Sequence, residues 1–594
     1  MDFRAHELCD IEDIACKHNN VISLEKKKIL IPILTGLIDN ITDNLDKNRT
    51  ILESLIKKKG TVRKAELLQL YRSELRENNV GFNKNVMDTL TKKTGKSDSG
   101  IVSITLVTSP GRFSCPQNCH YCPNEPGMPR SYVSTGPSLL RARRVNFDVV
   151  EQFRDRAFTL ANMGHDITKI EIIVIGGTWS YHPLDYQEDF ITGIYYAANT
   201  FTNREKRECR SLEEEIKINE TADARIIGLT LETRPDHIVD HEGRPNKEEL
   251  DRFARYRVTR VQLGVQHIND RILKYINRNC PTYITEAAFK VLKQNGYKVD
   301  AHFMPDLPGS SFEEDMELFK WLFSKENTTL QADQLKIYPT MTTQYTKILE
   351  WYKAGQYVPY SDIENGKYLF ELIIYITTNV PRWIRLNRVV RDIPGTVIEA
   401  KFKETNLYQR VLKHMEDNNL EGQDIRFREV KLNTFSHNKC DIFISDYRAS
   451  EGTEYFISYE TKDKKRLLGF IRLRLNDNPE SPYYPELKNS ALVRELHVYG
   501  KMVRQNTIGT SSQHIGIGKM LLEKAENIAY KNGYKKIAII SGVGVREYYR
   551  KRGYVLEGTY MVKNLNSYYN VYTIFTIVFI MATFTFLYKK TSRL

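Results

Sequence analysis

Cys115, Cys119 and Cys122 fall in the segment CPQNCHYCP, a Cys-x3-Cys-x2-Cys spacing. Thiolates are soft ligands, and three this close together can hold three irons of a 4Fe-4S cluster. The fourth iron then stays open to a further ligand. The same residues also permit a zinc site completed by another ligand such as His120, or three thiols with no shared task. Tyr121, directly before the last cysteine, suits a cluster loop. The chain's eight cysteines are too sparse and uneven for a disulfide framework, which points to a reducing compartment.

Four further groups of residues have chemical potential. Gly176, Gly177 and Thr178 close an apolar run, where glycines let backbone groups approach a ligand. Gln513, His514, Gly516 and Gly518 give a Gln-x-x-Gly-x-Gly spacing ahead of the helical stretch KMLLEKAENIAY. Backbone N–H groups at such a helix start can grip a pyrophosphate. Tyr548 and Tyr549, in SGVGVREYYRKRGY, are either packing residues or hydrogen-bond and proton donors. Glu495 and His497, in VRELHVYG, offer a base or a salt bridge.

These residues need elements to hold them. From about residue 100, short apolar runs alternate with helical stretches: 101–107, 169–178, 225–233, 260–266, 299–308 and 334–340. Six β/α repeats predict a parallel sheet curled into a partial (β/α)6 barrel, with distinctive polar residues after each strand at the C-terminal rim. From about 425 the pattern changes to an α+β unit, with strands near 455–459, 467–475, 491–499 and 536–541 and helices near 517–531 and 544–552. We divide the α/β chain into a basic helical region 1–95, a barrel domain 96–400, a linker 401–424 and the α+β domain 425–565.

A chain of 594 residues with 41% hydrophobic content is too long for one core and argues against wholesale disorder. The formal charge of +13, with lysine runs at Lys26–Lys28 and Lys57–Lys59, favours an anionic partner such as nucleic acid or a membrane surface. No secretory signal opens the sequence. Val571–Tyr588 carries 18 residues without a charge, preceded by Tyr568 and Tyr569 and followed by Lys589, Lys590 and Arg593. As a helix it would extend roughly 27 Å, close to a hydrocarbon core. The expectation is a C-terminal transmembrane helix that anchors the tail in the mitochondrial outer membrane or endoplasmic reticulum, with both large domains facing the cytosol.

The stretches CPQNCHYCP, EIIVIGGTW, GLTLETRPD, MPDLPG, LKIYPT, RVVRDIP, LVRELHVYG, QHIGIGKMLLEKAE and ISGVGVREYYRKRGY together resemble the catalytic subunit of Elongator, over about residues 85–563. That family couples a radical S-adenosylmethionine (SAM) domain to a GCN5-related acetyltransferase domain. The resemblance implies modification of wobble uridine at C5 with a carboxymethyl-type group. Acetyl-CoA would supply two carbons, and a SAM-derived 5′-deoxyadenosyl radical would activate the acetyl methyl. It implies Cys115, Cys119 and Cys122 as cluster ligands, Gly176-Gly177-Thr178 at the SAM amino group, and the 513–518 loop on CoA. Lys169 and Lys336 match family lysines near the radical site; SAM, acetyl-CoA and RNA all remain open as their ligand. Arg234, Asp236 and Gln266 would sit at the rim. The implied partners are a tRNA anticodon arm and possible Elongator-type subunits, with the electron donor open.

Two features depart from the family pattern. Where many relatives carry further cysteines tied to zinc, this chain has Gly422 and Gln423, so no zinc is expected; the apolar tail is the other departure. The alternative function is a protein lysine acetyltransferase, which would leave the cysteine group unexplained. A tethered module without catalysis would leave both cofactor loops unexplained.

Overall fold

The computed structural model describes residues 22–57, 62–77, 81, 83–91, 99–111, 115–202, 207–391, 393–430, 437–500 and 516–565. Gln513, His514 and the apolar segment 571–588 lie outside them. Near the N-terminus, helices Leu24–Asp39, Leu45–Lys57, Lys64–Glu77 and Lys84–Leu90 bury Leu30, Leu37, Leu52, Leu67 and Tyr71 in a small core of their own.

Seven parallel strands follow: β1 Val102–Val107, β2 Lys169–Ile175, β3 Arg225–Thr233, β4 Arg260–Gln266, β5 Lys298–Phe303, β6 Gln334–Ile337 and β7 Arg385–Val389. They pair in simple sequential order. Helices between them cover the outer face, where Ile172, Phe190, Ile194, Phe253, Phe289 and Phe319 form one continuous core. The sixfold expectation is thus short by one strand. β7 reads RLNRV, and its alternate polar residues hide it among helical neighbours. Arg391, just after β7, reaches back to the loop after β1, donating to the Ser131 carbonyl at 2.6 Å and lying over the Tyr132 ring.

The inner face is not the filled apolar stack usual in such barrels. Arg260, Gln262, Asp300, His302 and Lys336 are buried there. Arg260 donates to Asp300 at 2.9 Å, Gln262 to Asp300 at 3.2 Å, and Lys336 to Gln262 at 2.7 Å.

The second sheet runs β13-β14-β12-β11-β10-β9-β8. Its strands are β8 Cys440–Arg448, β9 Gly452–Thr461, β10 Leu467–Asn476, β11 Ser490–Val498, β12 Lys536–Ile539, β13 Val555–Glu557 and β14 Tyr560–Asn564. β11 and β12 are parallel and pair only from Ser490 to Val493. Beyond Val493, β11 continues without that partner and a notch opens between them. Helix Ile517–Lys531 buries Leu521, Leu522, Ala525 and Ala529 against this sheet. The expected linker 401–424 carries a helix, Leu407–Asp417, packed on the barrel's last helix.

The expected membrane-spanning helix is not upheld. Among the described residues no helix is long and apolar enough to cross a membrane. Apolar helices such as Lys367–Asn379 instead turn Leu369, Leu372, Ile373 and Ile376 into the barrel's core. With no spanning helix among the described residues, the expected tail-anchored location in the mitochondrial outer membrane or endoplasmic reticulum is not supported.

Candidate active site

The cysteine loop lies at the C-terminal end of β1. Thr178, just after β2, donates from its hydroxyl to the Cys115 sulfur at 3.2 Å, so the glycine turn and the cysteine loop meet. Gly176 and Gly177 have φ of +138° and +104°. A Cβ on Gly176 would fall 1.9 Å from Thr108 Oγ1, so this turn admits only glycine. Arg234, after β3, pairs with Asp236 at 2.6 Å and points its other nitrogen at the Cys119 sulfur, 3.7 Å away. The Arg234–Asp236 ion pair is therefore real, and it is built beside a candidate ligand.

Sequence reasoning missed two more cations here. Arg130 donates to Asn118 at 2.7 Å within the same loop. Arg278 is buried close to Tyr121 and Cys119. Burial and the neighbouring Cys119 push the Cys122 thiol up to about 11, and Arg130 opposes that rise. Cluster ligation requires thiolates, and three buried guanidiniums beside three sulfurs are suited to offset their charge. Among the described residues no group of three His, Cys, Asp or Glu side chains converges on a single ion. Thiolates that each take a different iron of a cubane need not converge in that way. The residues present fit a 4Fe-4S cluster with SAM at the adjoining glycine turn.

A second site lies at the opposite, N-terminal end of the barrel strands. A cavity of about 540 Å³ is bounded there by both domains. Lys169, Glu171, Arg260 and Lys298 come from the barrel, and Glu495, His497, Gly516, Gly518 and Tyr548 from the second domain. Gly516 has φ of +78° and caps helix Ile517–Lys531, so the helix N-terminus opens on the cavity. A Cβ on Gly518 would fall 2.6 Å from the Tyr548 hydroxyl, so the glycine lets that hydroxyl lie against the helix start. Lys519, Lys551 and Arg552 add positive charge to the lining, and the set fits a CoA thioester.

The structure separates residues that the sequence grouped. Lys169 and Lys336 do not meet. Lys169 lines the interdomain cavity, where burial lowers its pKa, whereas Lys336 sits inside the barrel on Gln262. Tyr549 is 6% exposed and packs against Tyr554 in the second domain's core. Tyr548 turns towards the helix start, with Arg552 over its ring. Glu495 is held by Arg472 at 2.9 Å and Arg260 at 3.4 Å. Burial would raise its pKa, but Lys298, Arg260 and Arg472 bring it down to about 2. It is a charge partner and a poor base. His497 Nε2 lies 2.8 Å from the Ser99 carbonyl, which can only accept, so that nitrogen carries the proton. Burial lowers the pKa of this ring, which leaves Nδ1 as an acceptor when neutral.

A cysteine loop on the rim of a parallel barrel, joined to a second domain across a cavity, is the arrangement of an enzyme of the radical SAM class. Residues 113–322 match the Radical SAM superfamily and residues 332–417 the Radical_SAM C-terminal domain. The chain is 38% identical to the tRNA uridine(34) acetyltransferase of Methanocaldococcus infernus, over 90% of this chain and 99% of that protein. It is 36% identical to human Elongator complex protein 3, over 82% and 88% respectively. The solved archaeal Methanocaldococcus infernus Elp3 lacking residues 1–46 superposes with a TM-score of 0.65 at 36% identity, covering 78% of this chain and 99% of that one. The chain belongs to the family of tRNA uridine(34) acetyltransferases and Elongator complex protein 3.

Proposed function

We propose that this protein attaches a carboxymethyl-type group to C5 of the wobble uridine of tRNA, drawing the two carbons from acetyl-CoA. The observation that supports the reading is a three-cysteine loop and an interdomain cavity lined by a helix N-terminus and cations, at opposite ends of one barrel with a polar interior. Bound at those sites, the cluster and SAM supply a reducing electron and a 5′-deoxyadenosyl radical, and acetyl-CoA supplies an activated acetyl group.

Cys115, Cys119 and Cys122 hold the cluster, and Gly176, Gly177 and Thr178 receive SAM beside it. The N-terminus of helix Ile517–Lys531, with Lys519, Lys551 and Arg552, takes the CoA phosphates. Tyr548 gives a proton to the departing sulfur, and His497 Nδ1 takes one from the water that opens the thioester. Lys336 holds a polar group inside the barrel, and Lys169 does so in the cavity. The chain's basic surface meets an anticodon arm.

The test is mass spectrometry of tRNA incubated without oxygen with reconstituted protein, SAM, a reductant and acetyl-CoA labelled in the acetyl methyl. Label on wobble uridine that disappears with Cys119→Ala is the expected result. Label on protein lysines that persists in Cys119→Ala would overturn the reading in favour of a lysine acetyltransferase.

A further inference from the structure

A cluster held by the cysteine loop has to be reduced from outside, so an electron must cross the protein surface near that loop. Most groups around the sulfurs are closed to solvent: Arg130, Arg234 and Arg278 are each less than a tenth exposed. One side differs. The His120 ring, next in sequence to Cys119, lies 4.8 Å from the Trp351 ring, and Trp351 lies 5.1 Å from Tyr275. Tyr275 is 48% exposed.

Backbone hydrogen bonds tie these pieces to the loop. His120 N–H donates to the Ile276 carbonyl at 3.0 Å, and Ile348 N–H donates to the His120 carbonyl at 3.2 Å. Asn124 N–H donates to the carbonyl of Tyr345, itself 50% exposed. The aromatic series is thus fixed to the cysteine loop and ends at the surface.

The rim of this patch is basic. Arg271, Lys274, Lys347 and Lys353 are all exposed. Arg271 is paired with Glu314 and Lys347 with Glu350, while Lys274 and Lys353 have no ion-pair partner among the described residues. Large exposed aromatic rings inside a cationic rim are the make-up of a protein interface, and this rim complements an acidic surface.

The geometry points to this patch, centred on Tyr275 and Trp351 with Lys274 and Lys347 at its edge, as the docking surface for an acidic one-electron carrier protein. One electron passes from the carrier through the His120 side of the loop. The carrier is oxidised by one electron, the cluster is reduced by one, and no bond forms or breaks. RNA would also be drawn to rings and lysines. However, a uridine substrate has to enter the barrel to react, whereas an electron needs only a path from the surface to the cysteine loop, to which these rings are tied through the backbone. The inference rests on the cluster and not on acetyl-CoA; only the choice of a carrier over RNA draws on the uridine reading.

The probe is reduced flavodoxin, mixed without oxygen with cluster-loaded protein while the visible band of the cluster bleaches. Dithionite, which needs no docking surface, is run in parallel. At low salt, Lys274→Glu combined with Lys347→Glu should slow reduction by flavodoxin about tenfold and weaken flavodoxin binding measured by calorimetry, with loss of the salt dependence seen in the native protein. Tyr275→Ser should slow the limiting rate at saturating flavodoxin. Reduction by dithionite should be unchanged in both. Equal flavodoxin rates in native and variant proteins would overturn the proposal. So would a matching loss with dithionite, which would mean damage to the loop. Weaker binding of an anticodon stem-loop with normal flavodoxin reduction would assign the patch to RNA instead.

Discussion

Tyr548 and Tyr549 are adjacent in sequence and differ in surroundings. Burial raises the pKa of both hydroxyls, and both residues line the cavity, yet Tyr548 lies against the start of helix Ile517–Lys531 whereas Tyr549 is the more deeply packed in the core. Tyr548→Phe should lower acetyl-CoA turnover by roughly 10²-fold, as expected for loss of a general acid, while Tyr549→Phe should stay within about twofold. A coupled thiol-release assay distinguishes them. The sequence offered both tyrosines equally, because helical neighbours point in different directions only once the helix is docked. The cysteines stood out as a group because three of them crowd into one loop. Arg130, Arg234 and Arg278 were not grouped, since they come from three separate connections that only the barrel brings together.

At the scale of elements, runs of buried apolar residues announced β1 to β6. β7, the edge strand β8 and the closing pair β13 and β14 did not read as strands. β8 alternates between buried or half-buried and exposed positions, as a strand with one open side does, and its CDIFISDYR carries charge on that side. The glycine turn after β2 supplies a test at this scale. Gly176→Ala adds a methyl that would overlap the Thr108 hydroxyl at a φ alanine avoids, so the turn must move away from Cys115. SAM affinity measured by equilibrium dialysis should fall at least about tenfold, given that a buried hydrogen bond and the turn's fit are lost together.

The whole molecule is joined by charge as much as by apolar contact. Asp333, just ahead of β6, accepts from Arg494 of β11 at 2.6 Å, and Lys293 lies 3.6 Å from both Asp333 and Glu454. All four side chains are fully buried. Burial alone would raise the pKa of Asp333, but Arg494, Lys293 and Arg472 hold it well below the usual carboxylate range. Removing one partner strands the others in a dry junction, so Asp333→Ala should cost about 3–5 kcal/mol in a denaturant titration, with both domains loosening together.

Glu495 gives this junction a pH dependence. Its pKa falls from 4.5 to about 2 on folding, so its contribution is complete above about pH 4.5 and is lost as pH drops towards 2. Stability measured against pH should lose part of its acid-side slope in Glu495→Gln. None of these cross-domain pairs was legible beforehand: Asp333 and Arg494 are 161 positions apart, and each alone reads as an ordinary surface charge.

The same junction bears on inheritance. A recombinant that joined this barrel to another lineage's second domain would have to receive Asp333 and Lys293 in one fragment and Glu454 and Arg494 in the other, or bury unmatched charge at the seam. Two domains that look exchangeable on a map of the gene are therefore bound to travel as a pair, and changes on either side of the seam should be tolerated only alongside changes on the other.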